Sequence, residues 1–178
     1  MSSDPYGILF KHNRWAMTVL AGAARNLTKP DFHRRYGYGL GSFHDAMVSA
    51  VGLMQGGCDR IECSRPRRSL VQTDAHGNVV ASTTHTPHGL MSMVIATCDE
   101  MDSVLGRSKS RLGETLEWSS PRGESFRCTV EEMLLYLATA LTEQRAVARD
   151  ILNNWLCIEN PVSIEFLRPV QDGPLAGS

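Results

Sequence analysis

The sequence predicts an all-α fold, a four-helix bundle with a long crossover connection and one or two short hairpins. Three observations carry this. Apolar residues recur at steps of three and four over four separate stretches, the period of a helix face. Each stretch opens on a helix-start signal: Pro5, Ser42, Thr86-Pro87 and Thr129. Connections punctuated by glycine and proline separate the stretches, and helices with one apolar stripe each bury it against one another.

The last stretch is the strongest. From Thr129 to Trp155 the apolar positions are Val130, Leu134, Leu137, Leu141, Ala148, Leu152 and Trp155, with no glycine or proline between them. Thr129 and Glu132 form a capping-box pair that fixes its start. On a helical wheel Gln144 falls near the middle of the apolar face, with Ala140 one turn earlier. An unpaired buried amide would cost about 1–3 kcal/mol. Gln144 therefore either bonds Ser49 or His12 or lines a cavity, and the small side chain of Ala140 favours the cavity.

The first helix spans residues 5 to 27, with Ile8, His12, Trp15, Val19, Ala23 and Leu27 along one side. TKPDFHRRYGYGLG is a connection with Pro30 and three glycines. Ser42 caps the second helix, Phe43 to Ile61, whose inward face holds Phe43, Met47, Ala50, Met54, Cys58 and Ile61; Gly56-Gly57 weakens its end. Residues 62 to 84 read as loop, with Arg65, Arg67 and Arg68 around Pro66 and a small hairpin about His76-Gly77-Asn78. The third helix runs from Pro87 to about Leu105, with Leu90, Met93, Val94, Thr97, Met101 and Leu105 inward. A second hairpin turns about Pro121-Arg122-Gly123 before the last helix.

Length and composition set bounds. A chain of 178 residues suits one domain, here residues 1–165 with a tail of 166–178, and buries a full core without staples. A net charge of −1 gives no bulk attraction to nucleic acid. Five cysteines, an odd number without CxxC spacing, read as reduced thiols in a cytoplasmic protein. No run approaches the ~18 apolar residues of a membrane span, and the N-terminus lacks a signal-peptide pattern.

Three pieces resemble the DinB-like superfamily of four-helix bundles: LFKHNRWAMTVLAGAARNL, the run from Asp31 through Gly41-Ser42-Phe43-His44-Asp45 to Met54, and the last helix with Glu-Gln-Arg-Ala-Val at 143–147. The closing NPVSIEFLRPV is similar to the family's C-terminal end. The resemblance covers most of the chain. It implies a divalent metal held by three histidines, one on the second helix and two spaced four apart on the last. The matching positions are Ser49, Ala140 and Gln144. None is a histidine and Ala140 has no donor atom, so no metal and no other cofactor is expected.

Other polar residues carry less. His85 and His88 form an H-x-x-H pair without a third ligand and read as solvated loop residues. His44-Asp45 reads as a solvent-facing first turn, because adjacent residues on a helix do not face each other. His12 reads as a core or pocket histidine, Cys98 as a buried inert thiol. The methionines Met47, Met54, Met91, Met93, Met101 and Met133 read as core filler that also suits an adaptable pocket. Arg145 reads as one half of an ion pair with an acid on a neighbouring helix.

The functional expectation is a metal-free bundle that binds, and in one version transforms, a small, fairly apolar molecule. Its pocket is lined by Ser49, Gln144, Ala140, Tyr136 and His12, with no catalytic residue assigned. One alternative is a divergent thiol-dependent transferase or isomerase with a recruited metal. Another is a structural or partner-binding bundle with a filled core. No nucleic-acid or membrane partner is expected, and the resemblance suggests a homodimer.

Overall fold

Each long helix begins where a polar side chain accepts a hydrogen bond from the first turn. Asp4 accepts from the Gly7 amide at 2.8 Å and opens α1, Pro5–Ala23. Ser42 accepts from Asp45 and opens α3, Phe43–Ile61; Thr86 accepts from Gly89 and opens α4, Pro87–Ser108. Thr129 accepts from Glu132 and opens α5, Val130–Asp150. At Ser42 and Thr129 the third helical residue also accepts from the cap amide, so both are full capping boxes. The computed structural model describes residues 4–36, 41–75, 79–120 and 123–158. Within them the chain is mostly helical with two small antiparallel sheets.

The long helices pack in a ring. α3 lies against α4 and α5, and α1 lies against α4 and α5. The core is aliphatic and methionine-rich, with Met17, Leu20, Met47, Met54, Leu90, Met101, Leu134 and Leu137 fully buried. Closest approach of α3 and α5 is set at Gly57. A Cβ there would stand 2.3 Å from Leu137 Cδ1, so only glycine lets the Leu137 side chain lie on the α3 backbone.

Two hairpins flank α3. β1, Val71–Thr73, pairs with β2, Val79–Ala81, in the register Val71 to Ala81 and Thr73 to Val79, and both strands touch α3. β3, Thr115–Ser119, pairs with β4, Ser125–Thr129, so that Trp118 lies opposite Phe126 and their rings stack at 5.5 Å. Arg60 of α3 covers the Trp118 ring at 5.3 Å. Gly123 completes that turn at φ +83°. The expected turn residues His76, Gly77, Asn78, Pro121 and Arg122, and the tail of 166–178, lie outside the described residues. The loop after α3 is held by Arg67, whose guanidinium bonds the buried Asp59 at 2.7 Å and Glu100 of α4 at 2.6 Å.

Three sequence expectations change. The connection after α1 holds a short helix, α2, Lys29–His33, capped by Thr28; five residues are too few to show a period. The last helix does not run unbroken to Trp155, because Ile151–Trp155 widens into a π turn. On α1 the buried stripe is Phe10, His12, Asn13, Ala16, Met17, Leu20 and Ala21, whereas Ile8 is 62 % exposed. Two stripes on α1 fit the helical period, and the buried one includes a polar Asn13 that apolar counting passes over. All five cysteines are free thiols. Among the described residues no helix is long and apolar enough to cross a membrane.

Gly57→Ala forces Leu137 or the α3–α5 spacing to shift, and is expected to destabilise the fold by about 1–3 kcal/mol. Chemical denaturation measures this. A neutral or stabilising effect, the normal result of Gly→Ala in a helix interior, would show that the contact does not set the spacing.

Candidate functional site

The inward face of α5 is Val130, Met133, Leu134, Leu137, Leu141, Arg145 and Ala148. Positions 144 and 145 both lie within one turn of Leu141 and Ala148, so the period admits either. Contrary to the sequence reading, Gln144 is half-buried at the edge of the face and Arg145 takes the middle. There its Nη1 stands 3.4 Å from Nδ1 of the buried His12 on α1, and its Nη2 donates to Thr142 Oγ1 at 2.8 Å. A guanidinium only donates, so this contact is a hydrogen bond only where Nδ1 is the unprotonated ring nitrogen. The Trp15 ring packs on His12, with centroids 5.4 Å apart.

The acidic partner expected for Arg145 is not present: among the described residues no carboxylate forms an ion pair with it, and burial alone acts on the guanidinium, pulling it down to about 10. A cation that is 5 % exposed and lacks a counter-charge is expensive, since the desolvation penalty of a buried ion is several kcal/mol. By contrast, buried Asp59 is met by Arg67, and Arg14 reaches both Asp99 and Asp102 at 2.6 and 2.8 Å.

The other pocket residues divide. Ser49 is buried on α3, which packs along α5; Ala140 and Gln144 are half-buried; Tyr136 is 56 % exposed. Gln144 takes no part in the His12–Arg145 contact. A hydroxyl, a methyl and a half-exposed amide do not make the donor set of a transition-metal centre. Among the described residues no group of three or more His, Cys, Asp or Glu side chains is arranged to hold a metal ion.

A groove of about 320 Å³ runs along α1, lined by Lys11, Arg14, Trp15, Thr18 and Val19. Trp15 therefore has two roles, as a wall of the groove and as the cover of His12. Deeper between the helices, Asn13 donates to Met54 Sδ at 3.3 Å while its buried carbonyl oxygen has no partner. The space there, bounded by Phe10, Cys98 and Met101, has no room for a water. Burial pushes the thiols of Cys58 and Cys98 up to about 12 and about 11, so both stay protonated at neutral pH.

Outside this site His44 is buried and His33 and His85 are half-buried, whereas His88 is exposed, as the sequence reading has it. The His44 Nε2 accepts from the His85 amide at 3.1 Å, and the same nitrogen lies 3.1 Å from His85 Nδ1. Asp45 accepts from the Ala81 amide at 2.9 Å, and His44 Nδ1 is 3.7 Å from its carboxylate. His33 packs on His44 with ring centroids 4.6 Å apart. Consecutive side chains at the start of α3 thus hang the segment from β2 to α4 by its own amides, and His85 pairs with His44 rather than His88. No sequence period foretells this, because the partners are 36 and 41 residues apart.

Burial, then neighbouring His44, holds His33 and His85 below the ordinary imidazole value. Burial raises the Asp45 carboxyl, but hydrogen bonds from His44, Ala81 and Ser42 together outweigh it and hold the group well below its usual range. All three folded values are depressed, so their stabilisation is complete above the unfolded values and is lost as pH falls. The imidazole share goes first, below about pH 6.5, and the carboxylate share follows below about pH 4. Hydrogen exchange should show the His85 amide losing protection as pH falls below about 6.5, while the Ala81 amide, held by the Asp45 carboxylate, keeps its protection until below about pH 4. His85 protection that stays constant after correction for intrinsic exchange would remove the histidine clamp.

Comparison of the chain with family models, curated proteins and solved structures finds no match.

Proposed function

We propose that the chain is a DinB-like four-helix bundle, lacking the metal centre of that family, which binds a small, fairly apolar molecule beside α1. The supporting observation is the pair of buried polar side chains, His12 and Arg145, in contact between α1 and α5. The pair adjoins the last-helix segment where the resembled family holds its metal. A purely structural bundle gains nothing from a buried cation without a counter-charge, because an apolar side chain of the same size would be at least as stable. A binding protein gains a polar anchor. The groove along α1, lined by Trp15 and Val19 together with Lys11, Arg14 and Thr18, supplies the rest of the site.

Native mass spectrometry of the full chain purified without an affinity tag is expected to show a small organic adduct or the free chain. Elemental analysis is expected to show no stoichiometric transition metal. One zinc, nickel or iron per chain, lost on mutating native side chains, would overturn the metal-free reading. Nile red, a neutral apolar probe, should bind the wild type and bind Trp15→Ala several-fold more weakly. Absence of both dye binding and an adduct would leave the filled-core bundle as the better account.

Gln144 supplies a further check. Being half-exposed, it strands no partner when replaced, so Gln144→Leu should leave the melting temperature level or slightly higher. A loss of more than about 1 kcal/mol in chemical denaturation would mean that its amide belongs to a structural network.

A further inference from the structure

We propose that the ligand of this site is a small monocarboxylate, whose acid group is the missing counter-charge of Arg145. The inference rests on the groove reading above and adds the chemical class. Arg145 is 5 % exposed, carries no ion pair among the described residues and faces only neutral groups, a hydroxyl at 2.8 Å and an imidazole nitrogen at 3.4 Å. A guanidinium has five N–H donors in a planar fork. Thr142 and His12 engage one each, on Nη2 and Nη1, which leaves an edge for the two oxygens of a carboxylate.

Charge count selects the class. One buried cation balances one negative charge, whereas a phosphate dianion would bring a second charge into the same interface uncompensated. Arg14, the other guanidinium along the groove, is already committed to Asp99 and Asp102. Lys11 lies at the groove without a carboxylate partner among the described residues and favours approach of an anion. The groove volume of about 320 Å³ lies at the lower end of the roughly 300–1,000 Å³ of ligand pockets, which suits a small ligand. Its indole wall and the Val19 side chain suit an aromatic or short aliphatic body. Trp15 lines this space and packs on His12, which contacts Arg145, so the proposal requires the indole to move aside for the acid to reach the guanidinium.

Titration calorimetry and thermal shift of the full chain with benzoate, phenylacetate and hexanoate, each against its neutral amide, test the proposal. The acids are expected to bind on the order of ten- to a hundredfold more tightly than the amides, the worth of a charge-assisted hydrogen bond. Arg145→Met should abolish that preference and Arg145→Lys should retain part of it. Trp15→Ala should weaken acids and amides alike. If Arg145→Met does not fold, the acid-to-amide ratio of the wild type decides alone. A ratio near one, a preference that persists in Arg145→Met, or equal stabilisation by inorganic phosphate overturns the carboxylate assignment. Amides and Nile red that bind as well as the acids would leave the binding reading standing without it. Failure of acids, amides and Nile red together removes both.

Discussion

Most of the fold packs on α3, and α3 depends on the absence of a side chain at Gly57. Both neighbouring long helices, the first hairpin and β3 touch this one helix. Its approach to α5 is limited by Leu137, whose methyl groups occupy the place of a Gly57 Cβ. Leu137 and Arg145 are eight residues apart on the same face, about 12 Å along the axis at 1.5 Å per residue. The contact that seats α5 on α3 therefore also aims Arg145 at α1. The close helix pair and the polar site thus share one face of α5, two turns apart.

Polar groups in this core fall into two kinds. At the ends of α3 every buried polar side chain described has a matched partner. His44 and Asp45 receive backbone amides at the N-terminus, and Asp59 receives both the amide and the guanidinium of Arg67 near the C-terminus. These contacts fix where loops return to the helices. The His12–Arg145 contact is different, for it joins a cation to neutral groups and completes no loop. Buried charge is retained in proteins where it is partnered or where it serves a ligand. That contrast within one chain, rather than the burial of Arg145 alone, sets the site apart from structural polar contacts.

Much of the fold was legible because its signals are local. Ser42 and Thr129, with acids three residues on, mark helix starts that the hydrogen bonds reproduce, and the inward residues of α3 and α4 follow the apolar period. Both hairpins stand where alternating segments flank turn residues. Less was legible where two answers satisfy one period. Gln144 and Arg145 are equally spaced from Leu141 and Ala148, and hydropathy prefers to bury the amide; tertiary packing buries the guanidinium instead. On α1 the same ambiguity brought Ile8 to solvent and Asn13 into the core. His44 looked exposed because its partners come from a segment whose return to α3 no local rule encodes. His12 was correctly placed inside, but its contact with Arg145 depends on the phase of both helices at once.

The three tryptophans occupy three unlike surroundings. Trp118, on the second hairpin, stacks on the Phe126 ring and lies under the Arg60 guanidinium, far from the groove in sequence. Trp155 is 47 % exposed and leans on Tyr36 at 5.2 Å. Trp15 alone joins solvent-facing space to a buried imidazole. The protein thus carries its own optical labels: a blue or red shift in the Trp15 emission reports on the groove, while the emission of the other two tracks the hairpin and the end of the last helix. Replacing Trp118 and Trp155 by phenylalanine would leave a single tryptophan, at the groove and against the buried His12.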